Sequence, residues 1–501
     1  MTEPPGPSRG RRGRDSGYTS RATRWAEFKQ RVRAHAPSEL LPAVAEAGAR
    51  LFDGGPLKVD PRGMHPWALA EIARESLAYG NEHRRAPVTP QALRDLHNLY
   101  NDLADPFLVE ADGAFDMMLR IVYSQADWQS ASFPEMARLG AMFNRPFDAT
   151  YEVLMPTTVA QMLGTDPNTY FGAALIYTVS AQMNGGRLDL AWFSQPNFAP
   201  IVAEIPKDVL LDVLHRVFGA DYGAVAERCR NNRNPEPELR KYDLNPLVVT
   251  PYVRMPDGLY VAPATKLVSD KASLGSVYHL GQQLWQDKFT RDLGRLVETY
   301  AGEQLALIPS AVVTPERPYG KNGASKTVDW IVVLPGAVVL MEVKSARVSQ
   351  GGRLDVEGFF DDVKKDVGKG FGQIAVTAQL LASGHAVLAD IPTDRPVRGM
   401  VVTAEPHHLI NSPIYREGLP DPTVPTPVLS LEELENTVTL ALAADPSGVL
   451  LELTDREPDS GFDVAKKIAR IHSDAGLAEW QNPILDAAYA KYPFHPGEAS
   501  A

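Results

Sequence analysis

A single cysteine, Cys229, stands among 501 residues, which excludes an internal disulfide and every cysteine-rich zinc arrangement and suits a reducing compartment. No run approaches the roughly 18 uninterrupted apolar residues that a membrane helix needs. The arginine-bearing N-terminus lacks the apolar stretch of a signal peptide, so the expected location is cytoplasmic, with no membrane partner. No phosphate-cradling loop ending in Lys-Ser/Thr is present either, because "GKGFG" neither follows a strand nor carries that ending; ATP use is not indicated.

Positive charge is scarce but unevenly placed. The formal net charge is -12, yet residues 1–34 hold nine Lys/Arg against Glu3, Asp15 and Glu27. The acidic balance argues against a protein that coats polyanions along its whole surface. The leader itself, rich in Gly, Pro, Ser and Arg, is expected to be disordered over 1–34.

What is present divides the chain by texture. Residues 35–230 carry apolar residues at three- and four-residue spacing, as in "HPWALAEIARESLAYG", and predict a mainly helical domain. In "TPQALRDLHNLYNDLA" Thr89 is a candidate N-cap and Pro90 a first helical residue. Residues 231–283 read as a polar linker, "NNRNPEPELRKYDLNP", followed by a hairpin turning at Pro256-Asp257-Gly258. From 284 to 440 the expected order is helix, three strands, helix, two strands, helix, a mixed-sheet α/β module. Its first helix has Phe289, Leu293, Leu296, Val297 and Tyr300 on one stripe. Residues 441–501 read as a helical extension.

Within the module, "TVDWIVVLPGAVVLMEVKSAR" (327–347) reads as two apolar strands joined at Pro335-Gly336. Alternation puts Glu342 and Lys344 on one face and Val339, Met341 and Val343 on the other. Centring the turn on Pro335-Gly336 places Leu334 opposite Ala337 and Asp329 opposite Glu342. Two opposed carboxylates repel. A hard divalent cation between them would turn that repulsion into coordination, and Lys344, one repeat further on the same face, would reach a bound water or a phosphate oxygen. The constellation suits metal-assisted phosphodiester hydrolysis.

Asp329 followed by Glu342-Val343-Lys344 resembles the PD-(D/E)xK nuclease superfamily, and the run through "GQIA" looks like its nuclease-related (NERD-type) branch. The resemblance covers about residues 287–405 and departs from the pattern at Val328, where the superfamily name has proline. It implies a restriction-endonuclease-like α/β fold and a Mg²⁺ (or Mn²⁺) held by Asp329, Glu342, the Val343 carbonyl and Glu298. It implies further that Lys344 positions the attacking water and that Gln373 supports the site. Glu303 competes with Glu298 for its place. Nucleic acid, DNA ahead of RNA, is the implied substrate.

Lys364, Lys365, Lys369 and Arg347 are read as surface ion-pairing residues beside Asp361, Asp362 and Asp366, with phosphate contact the alternative. The His407-His408 pair and Cys229 lack the partners that metal binding or nucleophilic catalysis needs. Two rival readings stay open. One is a catalytically inactive nuclease-fold scaffold or nucleic-acid-binding protein; the other is a defence effector whose helical region senses a protein partner.

Overall fold

The computed structural model describes residues 18–52, 63–103, 113–128, 132–345, 347–349, 353, 356–457 and 461–494. Among these no helix is long and apolar enough to cross a membrane.

The N-terminal half is helical, as its periodicity requires. The helices Pro37–Leu51, Pro66–Tyr79 and Pro90–Asn101 each begin on proline, whose missing N–H is harmless in a first turn. Thr89 caps the last of these by accepting the Ala92 amide at 3.1 Å. They bury Leu40, Leu41, Leu69, Ile72, Leu93 and Leu96 in one core. The expected disordered leader is corrected in part: Tyr18–Val32 is a helix, and Trp25, Phe28 and Val32 enter the same core. Three apolar residues at helical spacing outweighed the polar composition around them; residues 1–17 lie outside the described ones.

The stretch expected as linker and connector is also packed. Strands Tyr252–Arg254 and Tyr260–Val261 pair as the predicted hairpin, with Gly258 at φ +89° in its turn. They join Gly219–Asp221 and Arg187–Leu188 in a mixed four-stranded sheet. The polar segment before them is held by Arg74, fully buried, which donates to the Asp243 carbonyl and carboxylate, both at 3.2 Å.

The α/β module is built on a five-stranded sheet in the order Val428–Ser430, Val397–Thr403, Val338–Lys344, Trp330–Val333, Val312–Pro315. The first two contacts are parallel and the last two antiparallel. Val338–Lys344 is central and buried on both faces. Val339, Met341 and Val343 share a core with Leu293, Leu296, Val297 and Tyr300 of the long helix Leu274–Ala306. Val338 and Leu340 pack with Phe371 and Ile374 of the helix Lys369–Ala382. The expected polar face is therefore apolar until Leu340 and becomes polar only at Glu342.

The long helix starts ten residues before the expected Leu284. It is broken at Gln286, where φ is 50° and ψ is -130°. In a straight helix, residues eight apart stand about 12 Å apart along the axis. Here the Phe289 ring lies against Gly281 so closely that a Cβ there would sit 2.3 Å from the ring. The break supplies the bend that this contact demands. The C-terminal helices Pro446–Thr454 and Val464–Asp474 add Leu450, Leu453, Ile468 and Ile471 to the larger core.

Candidate active site

The predicted register is the observed one. Trp330 pairs with Met341, Ile331 with Leu340 and Val333 with Val338, and the Leu334 amide donates to the Ala337 carbonyl at 2.9 Å across the turn. Asp329 is the next residue outward and stands across from Glu342 just past the end of the ladder. Side chains replace the backbone bonds there. The Asp329 amide donates to Glu342 Oε2 at 3.3 Å, and Asp329 Oδ2 accepts the Val343 amide at 2.8 Å.

Glu342 is 1% exposed. Its other oxygen accepts Lys344 Nζ at 2.6 Å, and the same ammonium donates to Gln373 Oε1 at 3.0 Å. The four residues thus form one connected polar group at the carboxyl end of the central strand. Gln373 lies on Lys369–Ala382 between two residues that the sequence reading missed. Thr377, one turn on, accepts the Val328 amide at 3.1 Å and so holds the chain beside Asp329. Gly370, one turn back, lets the helix close in: a Cβ there would stand 3.1 Å from Val401 and 3.5 Å from Glu342 Cγ. Spacing of three and four along a helix was the available signal for both.

Glu298, on the long helix, stands close enough for the charge of Asp329 to act on its carboxyl. The Trp330 indole donates to its carbonyl at 3.1 Å and packs on Gly302 one turn later, fixing the helix to the strand. Its carboxyl is half-buried and is pushed up to about 7 by burial, with the charges of Asp329 and Glu316 adding to the effect. Burial, and then Asp329, push Glu342 up to about 8. Asp329 is raised as well, chiefly by burial. Glu316 is thus a further acid within electrostatic reach, and it is paired with Lys326. Neither was singled out from the sequence, because the excursion between strands, with its small hairpin Pro318–Tyr319 and Ser325–Lys326, brings them together.

No protein-family model matches the chain, and no curated protein matches it.

Several candidates stand apart from it. Glu303 is engaged elsewhere, receiving two bonds from Arg145 at 2.7 and 2.8 Å. Arg347 is structural: it pairs with Glu405 at 3.0 Å, donates to the Leu274 carbonyl and lies 4.0 Å over the Tyr278 ring. Lys364, Lys365 and Lys369 are exposed, but among the described residues none pairs with Asp361, Asp362 or Asp366. Asp362 instead accepts the Ser349 amide. His407 is buried and pushed down to about 4 by that burial; His408 packs its ring against Tyr123. Burial pushes the Cys229 thiol up to about 12, which removes it as a nucleophile.

The donors at the site are oxygens. Among the described residues no three His, Cys, Asp or Glu side chains converge as a metal cage, so an ion here would rest on the adjacent carboxylates of Asp329 and Glu342 with carbonyl and water oxygens completing its shell. That is the mode in which Mg²⁺ is commonly bound, by one or two carboxylates, and the donor set disfavours soft metals.

Proposed function

We propose that the chain is a Mg²⁺- or Mn²⁺-dependent nuclease of the PD-(D/E)xK type, with a restriction-endonuclease-like module, hydrolysing phosphodiester bonds and taking DNA as first substrate. One observation carries the reading. A lysine ammonium, a buried glutamate and a facing aspartate meet at the end of a central strand, in the residue pattern that the superfamily uses.

In this reading Asp329, Glu342 and the Val343 carbonyl would hold the ion, and Glu298 would act on it through its nearby charge rather than as a third converging carboxylate. When bound, it supplies electrophilic stabilisation of the phosphoryl oxygens and lowers the pKa of a coordinated water. The chain's own residues do the rest. The Glu342 and Gln373 oxygens fix the Lys344 ammonium in place, where its remaining donor capacity can orient an attacking water or meet charge developing on a phosphate. Gln373 acts on Lys344 as a positioning residue. The Asp329 carboxylate is aligned by the Val343 amide.

Purified protein incubated with linear, circular and single-stranded DNA and with RNA, in Mg²⁺ or Mn²⁺, tests the proposal. Asp329→Ala and Lys344→Ala should each lower cleavage by at least about 100-fold, the scale on which positioned acid–base groups act. Equal cutting by wild type and both variants would identify a contaminant nuclease and sink the assignment. Absence of cutting by the folded wild type on every substrate would favour a non-catalytic scaffold.

A further inference from the structure

Far along the sequence from the acidic site, the N-terminal helices gather positive charge that forms no ion pair among the described residues. Lys29, Arg31 and Arg33 come from the end of the first helix and the turn after it. The loop after Pro66–Tyr79 is joined to that turn: the Ala86 amide donates to the Ala34 carbonyl at 3.2 Å, and the His35 ring meets the Ala86 carbonyl at 2.9 Å. That places Arg84 and Arg85, both exposed, beside Arg33. Arg240, on a third segment, donates to the Asn234 carbonyl at 2.9 Å and stands close enough for its charge to be felt at Lys29 and at Asp243.

Among the described residues none of these six cations makes an ion pair. Their contacts are to neutral groups: Arg33 donates to the Tyr79 carbonyl at 3.1 Å, and Lys29 Nζ lies 3.4 Å from the centre of the Tyr79 ring. Glu82, the acid on the same loop, is occupied by the amide and hydroxyl of Ser38. Of the exposed arginines elsewhere, Arg50, Arg216, Arg291 and Arg470 are each paired with a carboxylate, whereas the six cations here stand together. The crowding is felt within the cluster, since Lys29 is lowered by burial and then by Arg33, Arg240 and Arg233, with no acid opposing them. Like charges held together without a direct ion pair among the described residues, on a chain whose net charge is -12, repel one another, and a polyanion relieves that repulsion.

We propose that this surface, formed by Lys29, Arg31, Arg33, Arg84, Arg85 and Arg240, docks the phosphate backbone of duplex DNA, so that the helical region holds the substrate while the module cuts it. The choice of DNA over another polyanion rests on the nuclease reading. The contacts are to phosphates and carry no base specificity.

Binding separates the two claims. Anisotropy of a labelled 30-base-pair duplex is measured in EDTA over a salt series for wild type, for Arg33→Glu/Arg84→Glu/Arg85→Glu, and for the control Arg216→Glu. Circular dichroism confirms that each variant is folded. Since each phosphate contact contributes about 0.9 to the slope of log K against log salt, the triple variant should lose about two to three units of slope and bind at least about tenfold more weakly. Arg216→Glu, which removes an exposed arginine outside this surface, should bind within about twofold of wild type. Duplex binding that depends on the three arginines, with no cleavage in metal, would support this surface and overturn the nuclease reading. Unchanged affinity and slope in the triple variant would overturn the surface. So would wild-type binding to phosphatidylserine vesicles, but not to the duplex, at the same salt.

Discussion

At the scale of single residues, Gln286 has an uncomfortable backbone inside the long helix that carries Glu298. Its φ of 50° with ψ of -130° is a combination that glycine reaches freely and a side chain does not. Such positions cost of order 1–3 kcal/mol and persist where the surroundings dictate them. Here the dictating contact is Phe289 on Gly281, which needs the bend. Gln286→Gly should therefore stabilise the protein by about 1 kcal/mol, part of the relief being returned as unfolded-chain entropy, and should raise the denaturation midpoint without changing the m-value. A lower midpoint would show that the bend does not strain this residue.

At the scale of elements, the position of Glu298 depends on how the long helix meets the strand Trp330–Val333. The contact is made at Gly302, where a Cβ would stand 2.1 Å from the Trp330 ring. Gly302→Ala must shift the indole or the helix, breaking the bond from Trp330 to the Glu298 carbonyl, and should destabilise by about 1–3 kcal/mol as overpacking does. Gly372, on the helix that carries Gln373, has nothing within 4 Å of its would-be Cβ. Gly372→Ala should stabilise by about 0.5–1 kcal/mol through helix propensity alone. Opposite signs in one chemical-denaturation experiment check both; the same sign would mean that the Trp330 contact does not constrain the helix.

The hairpin was legible from sequence because a turn signal at Pro335-Gly336 fixes register, and register fixes which side chains oppose. The buried stripe from Phe289 to Tyr300 was legible for the same local reason, a period of 3.6. Glu316, Lys326 and the latch of Arg74 on Asp243 were not. They join residues far apart in the chain or across an irregular excursion, where no periodicity links partner to partner. The helix Tyr18–Val32 was obscured by its composition: Trp25, Phe28 and Val32 are enough to anchor it, but they stand among arginines that read as a solvated leader.

For the whole molecule, the buried acids set a pH dependence whose sign can be worked out. Glu342, Glu298 and Glu433 are pushed up to about 8, 7 and 7 from an ordinary 4.5, each first by burial. Between 4.5 and these values the folded protein keeps protons that the unfolded chain has released, so stability falls as pH rises. Their contribution is fully present below pH 4.5 and is lost by about pH 8. The metal-free protein should thus melt at a lower temperature at pH 8.5 than at pH 5.5, and Glu298→Gln/Glu342→Gln should flatten that slope, leaving the part due to Glu433 in its capping box at Ser430. A cation that binds the ionised Asp329 and Glu342 carboxylates stabilises only the folded state, and protons compete with it. Millimolar Mg²⁺ should raise the melting temperature of wild type more at pH 8.5 than at pH 5.5, and should leave the double variant unmoved at either pH. A pH slope identical in wild type and double variant would mean that Glu298 and Glu342 are not the groups being discharged, and an Mg²⁺ shift that survives in the double variant would place the ion elsewhere on the chain.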